Sequence, residues 1–583
     1  MRAQRLMFVV LTSALAGSIA LAQPGRGGSQ WLTALADPQR TSWVRSDDKI
    51  SVAALSKPGF ELQWKATLDN QARGVHGLTQ GVTANGVTLF VPMSLVGGSS
   101  NNIYGIDNDL GYVVWQRHFD AALPPATAAC PGGLTSAVTR IAKLDAPPAP
   151  TPGFGGGRGS SGYRSLLGEP GQGVPVEGSA AGPGRAAAPA ARGTAPGVEQ
   201  GAARGAAPPP APAARASQAA ERIPGAPRRE EDPNPWGFLF RPSGVGYVVS
   251  SDGMLHVFGL ASGKDLQRPA PFLPANAKWS APVAVETTLY AATSGKCGGA
   301  PDGVWAIDLE SDAKPVVSWK TNGGGVIGAV AFTSDGTLIA AIGPGQTTGD
   351  GKANAIVALD PKTLTLKDWF SQPTAEFVTG PTILRHNNKN IVAAATKDGR
   401  VLLLDPASLG GTDHATPLLV SKPFGSVSGD ALATWQQSGA GTSWILLPVG
   451  GGLSAGTAAT NGPVSAGAVV ALKLMDAAGA LSLEPGWVSH DLSSPATPMI
   501  VNGVVFTLAT GLSSTATGPG NPAVLHAYDG ATGKRLWTSG KAMTTSASPG
   551  SMWTGLGQIY VGMSDGTLHA FGFNDERRHT NAR

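Results

Sequence analysis

Cysteine is nearly absent: two residues, Cys130 and Cys297, in a chain of 583. Their separation excludes an adjacent disulfide pair and a Cys-x-x-Cys-His haem attachment site, and an even count outside the cytosol suggests a disulfide between them, with two separate buried thiols or a redox or ligand role near the axis as the alternatives. Charge is scarce too, at 14% of residues, with a net charge of +4 that drops to +2 once Arg2 and Arg5 are removed. A near balance of few charges gives no basic face for nucleic acid. The nine histidines show no metal-ligand spacing, and no phosphate-loop motif is present. Beyond the N-terminus no apolar run is long enough to cross a bilayer.

The N-terminus itself carries Arg2 and Arg5, an apolar run from Leu6, and the small-x-small string Ala20-Leu21-Ala22. Residues 1–22 therefore read as a secretory signal peptide, which places the mature protein in the periplasm or outside the cell. No cysteine follows the cleavage site to take a lipid.

Glycine, with 80 residues, is abundant, as a turn-rich all-β chain requires. The string Leu525-His526-Ala527-Tyr528-Asp529-Gly530-Ala531-Thr532-Gly533-Lys534-Arg535-Leu536-Trp537 has a sibling at Leu255–Leu266 and weaker copies elsewhere. Each copy is an alternating strand, a turn carrying Asp, Gly or Pro, and a second strand that often ends on Trp, which is a hairpin. The Asp529 position recurs as Asp107, Gly259, Asp308, Asp360, Asp405, Lys473 and Gly572, making eight units, and from Gly259 onward they are spaced 43 to 68 residues apart. That spacing suits a four-stranded propeller blade. Inner strands open on small residues and Pro, as at Ser280-Ala281-Pro282-Val283 and Thr497-Pro498-Met499-Ile500. Too little chain follows Gly572 for an outer strand, whereas Glu61–Leu68 is a strand with no blade of its own. The expected fold is an all-β, eight-bladed propeller of four-stranded antiparallel blades, with this N-terminal strand closing the last blade.

From 146 to 232 the composition collapses to Pro, Gly, Ala and scattered charge. Such a segment buries too little apolar area to offset its ordering entropy and is expected to be disordered. It lies between an inner strand at Gly133–Arg140 and the rest of its blade, so residues 23–583 read as one interrupted domain.

The hairpin Ala527–Trp537 resembles the repeat of pyrroloquinoline-quinone (PQQ) propellers, Ala-x-Asp-x-x-Thr-Gly-x-x-x-Trp. The segment containing Trp31, Asp37, Arg40, Thr41, Ser42, Ile50, Leu62 and Trp64 resembles the opening of quinoprotein dehydrogenases. The resemblance implies eight blades, with Trp115, Trp319, Trp369, Trp487 and Trp537 packing between neighbours. It also implies two kinds of function. In dehydrogenases of this family PQQ sits on the axis between a Trp and a vicinal disulfide, beside Ca²⁺ held by Glu, Asn and Asp. This chain has no vicinal pair and no recognisable acid set. The other kind is a scaffold similar to the propeller subunit of the outer-membrane β-barrel assembly machinery.

The expectation is thus a monomeric binding or assembly scaffold without a cofactor, whose partners are other envelope or extracellular proteins. The alternative is a PQQ- and Ca²⁺-dependent dehydrogenase of an alcohol or sugar. A ligand would sit on the axis where chain enters the inner strands. Candidates there are Trp279 for stacking on a planar ring, Arg73 and Lys278 for pairing with carboxylates, and His76. Gln80, Arg140, Glu376, Asp430 and Trp553 occupy related places. His256, His526 and His569 share one repeat position and read as blade architecture.

Overall fold

The computed structural model describes residues 31–88, 91–134, 136–144, 244–439, 441–477, 479–512 and 520–574. The leader and the Pro/Gly/Ala-rich stretch lie outside them. Among these residues eight sheets form a propeller ring, antiparallel but for two short parallel edge pairs, and four of them have four strands while the others have three, five or six. No helix among the described residues is long and apolar enough to cross a membrane.

Blade 1 contains Val82–Thr88, Val91–Gly98, Asn102–Asp107 and Val113–His118. Blade 2 contains Val245–Val249, Met254–Gly259 and Ala270–Pro271, with an inner segment that touches it by a single bridge, Thr139 to Tyr247. The full inner strand expected at Gly133–Arg140 is not formed. The chain turns away after Thr139, and Ile141–Ala142 pairs in parallel with Val283–Val285 of blade 3. Blades 3 to 7 follow in chain order, and their third strands end at or one residue before Asp308, Asp360, Asp405 and Asp529 or run through Lys473. Blade 8 is Ala547–Gly555, Gln558–Met563 and Thr567–Phe573, completed by Phe60–Thr67 pairing antiparallel with Thr567–Phe573. The predicted closure is present, and it removes the edge that an open ring would expose.

The repeat has a local physical cause. Asp107, Asp308, Asp360 and Asp529 each accept the backbone N–H groups two and three residues onward, as in Ala531 N at 2.9 Å and Thr532 N at 3.2 Å from Asp529 Oδ1. This Asx turn reverses the chain. The residue four places on is left-handed: Gly111 at φ 75° and Gly533 at 73°, Gly263 at 66° in the related turn that opens on Gly259, and Leu364 at 55° in the Asp360 turn, so Gly is favoured there without being obligatory. The same glycines leave room for a Trp from the preceding blade: a Cβ on Gly533 would lie 2.6 Å from Trp487 Cγ. Trp487 Nε1 donates to Gly530 O at 2.8 Å, Trp115 Nε1 to Leu260 O at 2.7 Å, and Trp64 Nε1 to Asn108 O at 2.9 Å. Trp537 packs edge-on against Phe60 and Phe571, and Trp369 stacks on His414 at 3.7 Å. Cores between blades are aliphatic, as between blades 5 and 6, where Leu403, Leu432, Ile445 and Val470 meet.

The three histidines at one repeat position are held by the blades in different ways. His569 is 1% exposed and neither ring nitrogen has a hydrogen-bond partner. Burial, the larger cause, together with Lys65, pushes its imidazole down to about 4, and burial with Arg535 does the same for His526. Both groups bind a proton more readily unfolded, where the value is about 6.5. Their contribution is therefore full above pH 6.5 and is lost as pH falls toward 4, at up to about 1.4 kcal/mol per pH unit for each. Urea unfolding midpoints should fall between pH 7.5 and pH 5, and His569→Gln should flatten that dependence; an unchanged slope would count against the assignment.

Candidate ligand site at the axial mouth

Each blade's chain enters the ring at one face, which we term the inlet face, through loops that lead into the innermost strands. Arg73, His76, Lys278 and Trp279 all lie there. Arg73 and His76 face each other across a short antiparallel bridge. The Arg73 guanidinium is engaged by a neighbouring loop: Nε donates to Pro131 O at 2.7 Å and Nη2 donates to Pro124 O. Lys278 and Trp279 pair with Ser294 and Thr293 of blade 3, and Trp279 is 3% exposed. His76 is half-buried, and burial first, then the nearby Lys278 ammonium, lowers its imidazole below its ordinary value.

The loop held by Arg73 is also held covalently. Cys130 and Cys297 form a disulfide joining the chain ahead of blade 2 to the Cys297–Gly299 turn of blade 3. The sequence had left this pair open between a structural bridge and separate thiols; it is a bridge, formed one loop away from the mouth. Gly133, with φ 72°, lies so close to Ser99 O that a Cβ would approach to 1.8 Å, so the loop is seated against blade 1 as well.

Below the mouth the axis is crossed by residues 31–44. Trp31 and Arg40 are fully buried. Carbonyls of this segment accept one backbone N–H from blade after blade: Trp31 O from Thr83, Leu32 O from Arg140, Pro38 O from Phe332, Gln39 O from Ile383, Thr41 O from Thr434 and Ser42 O from Ile500, all at 2.8 or 2.9 Å. Blade 3 is reached by Thr33 Oγ1 donating to Pro282 O at 3.0 Å, and blade 8 by Gly557 N donating to Asp47 Oδ2 at 3.1 Å. The innermost strand of a propeller blade presents unpaired backbone groups to the axis, and buried groups of that kind need partners. Here the N-terminal segment supplies them. Gln80 belongs to the same system: it accepts from Leu35 N at 2.8 Å and donates to Met552 O at 2.6 Å. Trp553 is buried between blades 8 and 1 with Nε1 on Ser94 Oγ.

The opposite side of the mouth is narrowed by a bulge. Blade 4's inner strand slips register between Ile327 and Ala331, and a Cβ on Gly328, at φ 58°, would meet both Gly380 Cα and Asp430 O at 3.0 Å. Blade 4 thereby reaches across blade 5 to blade 6. Glu376 is paired with Lys397, and Asp430 accepts from Thr497.

PQQ with Ca²⁺ needs several oxygen ligands converging beside a planar ring. Among the described residues no three His, Cys, Asp or Glu side chains come together to hold a metal. The one disulfide joins distant turns, and Trp279 is packed inside. The four expected residues, Arg73, His76, Lys278 and Trp279, bring no carboxylate, and Trp279 is 3% exposed, so these four do not fit the group.

One constellation escaped sequence reading. His256 Nε2 lies 3.0 Å from Ser250 Oγ and its Nδ1 lies 3.2 Å from Asp265 Oδ2, while Arg117 of blade 1 clamps both Asp265 oxygens at 2.7 and 2.6 Å. The order resembles a catalytic triad, but Ser250 is 1% exposed and its Oγ is also bonded to Asp252 Oδ1, so no substrate carbonyl can approach. It is an interblade clamp. Its components are 148 residues apart from Arg117 to Asp265, a separation that no local pattern reveals.

No family model and no curated relative matches the chain. Among solved structures it is similar to the quinohemoprotein alcohol dehydrogenase of Comamonas testosteroni, at 14% identity and TM-score 0.51 over 93% of this chain and 80% of that one. It is also similar to quinohemoprotein alcohol dehydrogenase ADHIIG of Pseudomonas putida HK5, at 11% identity and TM-score 0.51 over 94% and 80%. BamB of Moraxella catarrhalis aligns over 57% of this chain at 14% identity and TM-score 0.36. At such identities the likeness is one of architecture, and what the chain shares with the quinoprotein enzymes is the eight-bladed propeller fold.

Proposed function

We propose that the protein is a secreted or periplasmic binding propeller that holds a partner protein through its loops and outer strand edges, without PQQ. The observation that carries this reading is the N-terminal segment crossing the axis. Backbone edges and polar side chains that could have held an axial cofactor are occupied by the chain itself, from Gln80 at the mouth to Arg40 at the centre. The outer edge, by contrast, is open. In blade 1 the turn and outermost strand present Leu110, Tyr112, Val113 and Val114, with Tyr112 68% exposed. Apolar side chains beside an unpaired strand edge suit contact with another protein.

The competing reading, a PQQ dehydrogenase, draws on the fold. Calorimetric titration of the folded protein with PQQ, with and without Ca²⁺, separates the two. No saturable binding is expected. One-to-one binding strengthened by Ca²⁺ would overturn the scaffold reading and call for a dye-linked assay on alcohols and sugars.

A further inference from the structure

We propose that the axial channel is a peptide-binding site, that residues 31–44 are its ligand in cis, and that the Arg40 guanidinium is the group the channel reads. The inference rests on the same axial segment as the scaffold reading, but the two fail separately: PQQ titration decides that reading and peptide exchange decides this one.

The contacts are those of a bound peptide rather than of a strand within a blade. Only Trp43–Val44 adds to a sheet, in parallel beside Met499–Val501. The preceding residues meet blades 1 to 7 in turn through one or a few hydrogen bonds each and add to no sheet. The path is irregular, with Leu35, Ala36, Arg40 and Ser42 all left-handed at φ 54° to 76°. Four such non-glycine residues in one short segment are unfavourable in isolation, so the ring imposes this conformation. Asp37 sets the bend, accepting Thr41 N at 3.0 Å and Thr41 Oγ1 at 2.6 Å.

Arg40 is the anchor. Its Nε donates to Val330 O at 2.8 Å, Nη1 to Ala34 O at 2.7 Å and Thr33 Oγ1 at 3.1 Å, and Nη2 to Ala281 O at 3.2 Å. The cage is made of carbonyls from blades 3 and 4 and from the segment itself, with no carboxylate in hydrogen-bond contact. Carbonyl oxygens arranged around a plane suit a guanidinium fork, and a lysine ammonium cannot reproduce that set. The segment leaves the channel at Arg45–Asp48, where Ser46 and Asp48 are exposed. The occupant is thus joined to the ring by an accessible tether.

The test uses the full mature chain with a protease recognition sequence inserted at Ser46, cut after folding. The N-terminal fragment is expected to co-elute with the ring in gel filtration at micromolar dilution. It should exchange, slowly, with a labelled synthetic peptide spanning Ser29 to Ser46. The same peptide with Arg40→Ala should bind at least about 100-fold more weakly, and with Arg40→Lys at least about tenfold. These peptide arms use the wild-type ring, so they hold even if Arg40→Ala in the whole chain prevents folding. In the uncut chain, appearance of a swapped dimer in which residues 31–44 of one copy fill the ring of another would also support the site. Loss of the wild-type fragment on cutting, with the ring's Tm unchanged, would overturn the proposal, as would equal binding of the Arg40 and Arg40→Ala peptides.

Discussion

Breaking the Cys130–Cys297 bridge is expected to lower stability by about 3–5 kcal/mol. The bridge spans 167 residues. Cross-linking acts mainly on the unfolded chain, and its effect grows with the logarithm of the closed loop, so a span of this size sits near the upper end of the range. Native contacts add to it, because the bridged loop is the one that Arg73 grips through the Pro124 and Pro131 carbonyls. Inside the closed loop lies the Pro/Gly/Ala-rich stretch, whose composition offers little burial to offset its own entropy. In a protein this large a loss of that size corresponds to a fall in Tm of roughly 5–10 °C. Differential scanning calorimetry of the wild type, with and without reductant, and of Cys297→Ser measures it. Proteolysis should shift at the same time to residues 120–133. A Tm unchanged by both treatments would show that the bridge does not restrain the unfolded chain.

Trp487→Ala should cost a comparable amount, about 3–5 kcal/mol. The side chain is 1% exposed, lies over Gly533, stacks near Tyr528 at 5.9 Å and donates Nε1–H to Gly530 O. Removing it empties the seam between blades 6 and 7 and strips a carbonyl of its donor. Trp319 occupies a related place between blades 3 and 4 but is only partly buried, so Trp319→Ala should cost distinctly less. Chemical unfolding of the two variants beside wild type gives the ranking. Equal losses would mean that the ring does not distinguish its seams by burial. Gly533→Val reaches the same seam from the other side, since its Cβ would strike the indole and its φ of 73° is strained for a β-branched residue.

The ring was legible because its punctuation is local. An Asx turn needs an Asp and the next few residues, and the left-handed residue closing it favours Gly, so Asp529 and Gly533 announce themselves without reference to anything distant. The closing strand at Phe60–Thr67 could be inferred because the last unit was one strand short. Blade 2 was read less well: the expected inner strand keeps one bridge at Thr139, since Ile141–Ala142 pairs instead with blade 3. The mouth was the least legible part. Arg73, Lys278, His76 and Trp279 were expected to line an axial ligand site, but whether a side chain faces a ligand or the protein is decided by distant partners. Arg73 is satisfied by carbonyls more than fifty residues away. The channel-crossing segment has no period at all, since its partners lie in one blade after another rather than within one sheet. Arg40 stood out only through a resemblance, and nothing in its neighbours disclosed the cage around it.

Pairing between Phe60–Thr67 and Thr567–Phe573 carries a consequence for how the molecule comes into being. The residues made first find their partners only when nearly the last have been synthesised, and the segment before them needs every sector of the ring in place. Contacts of such separation form late and leave edges uncovered meanwhile. A nascent chain stalled before residue 567 would hold an unclosed toroid with an idle leading end, so the vulnerable interval in this protein's life is the wait for its final few dozen residues.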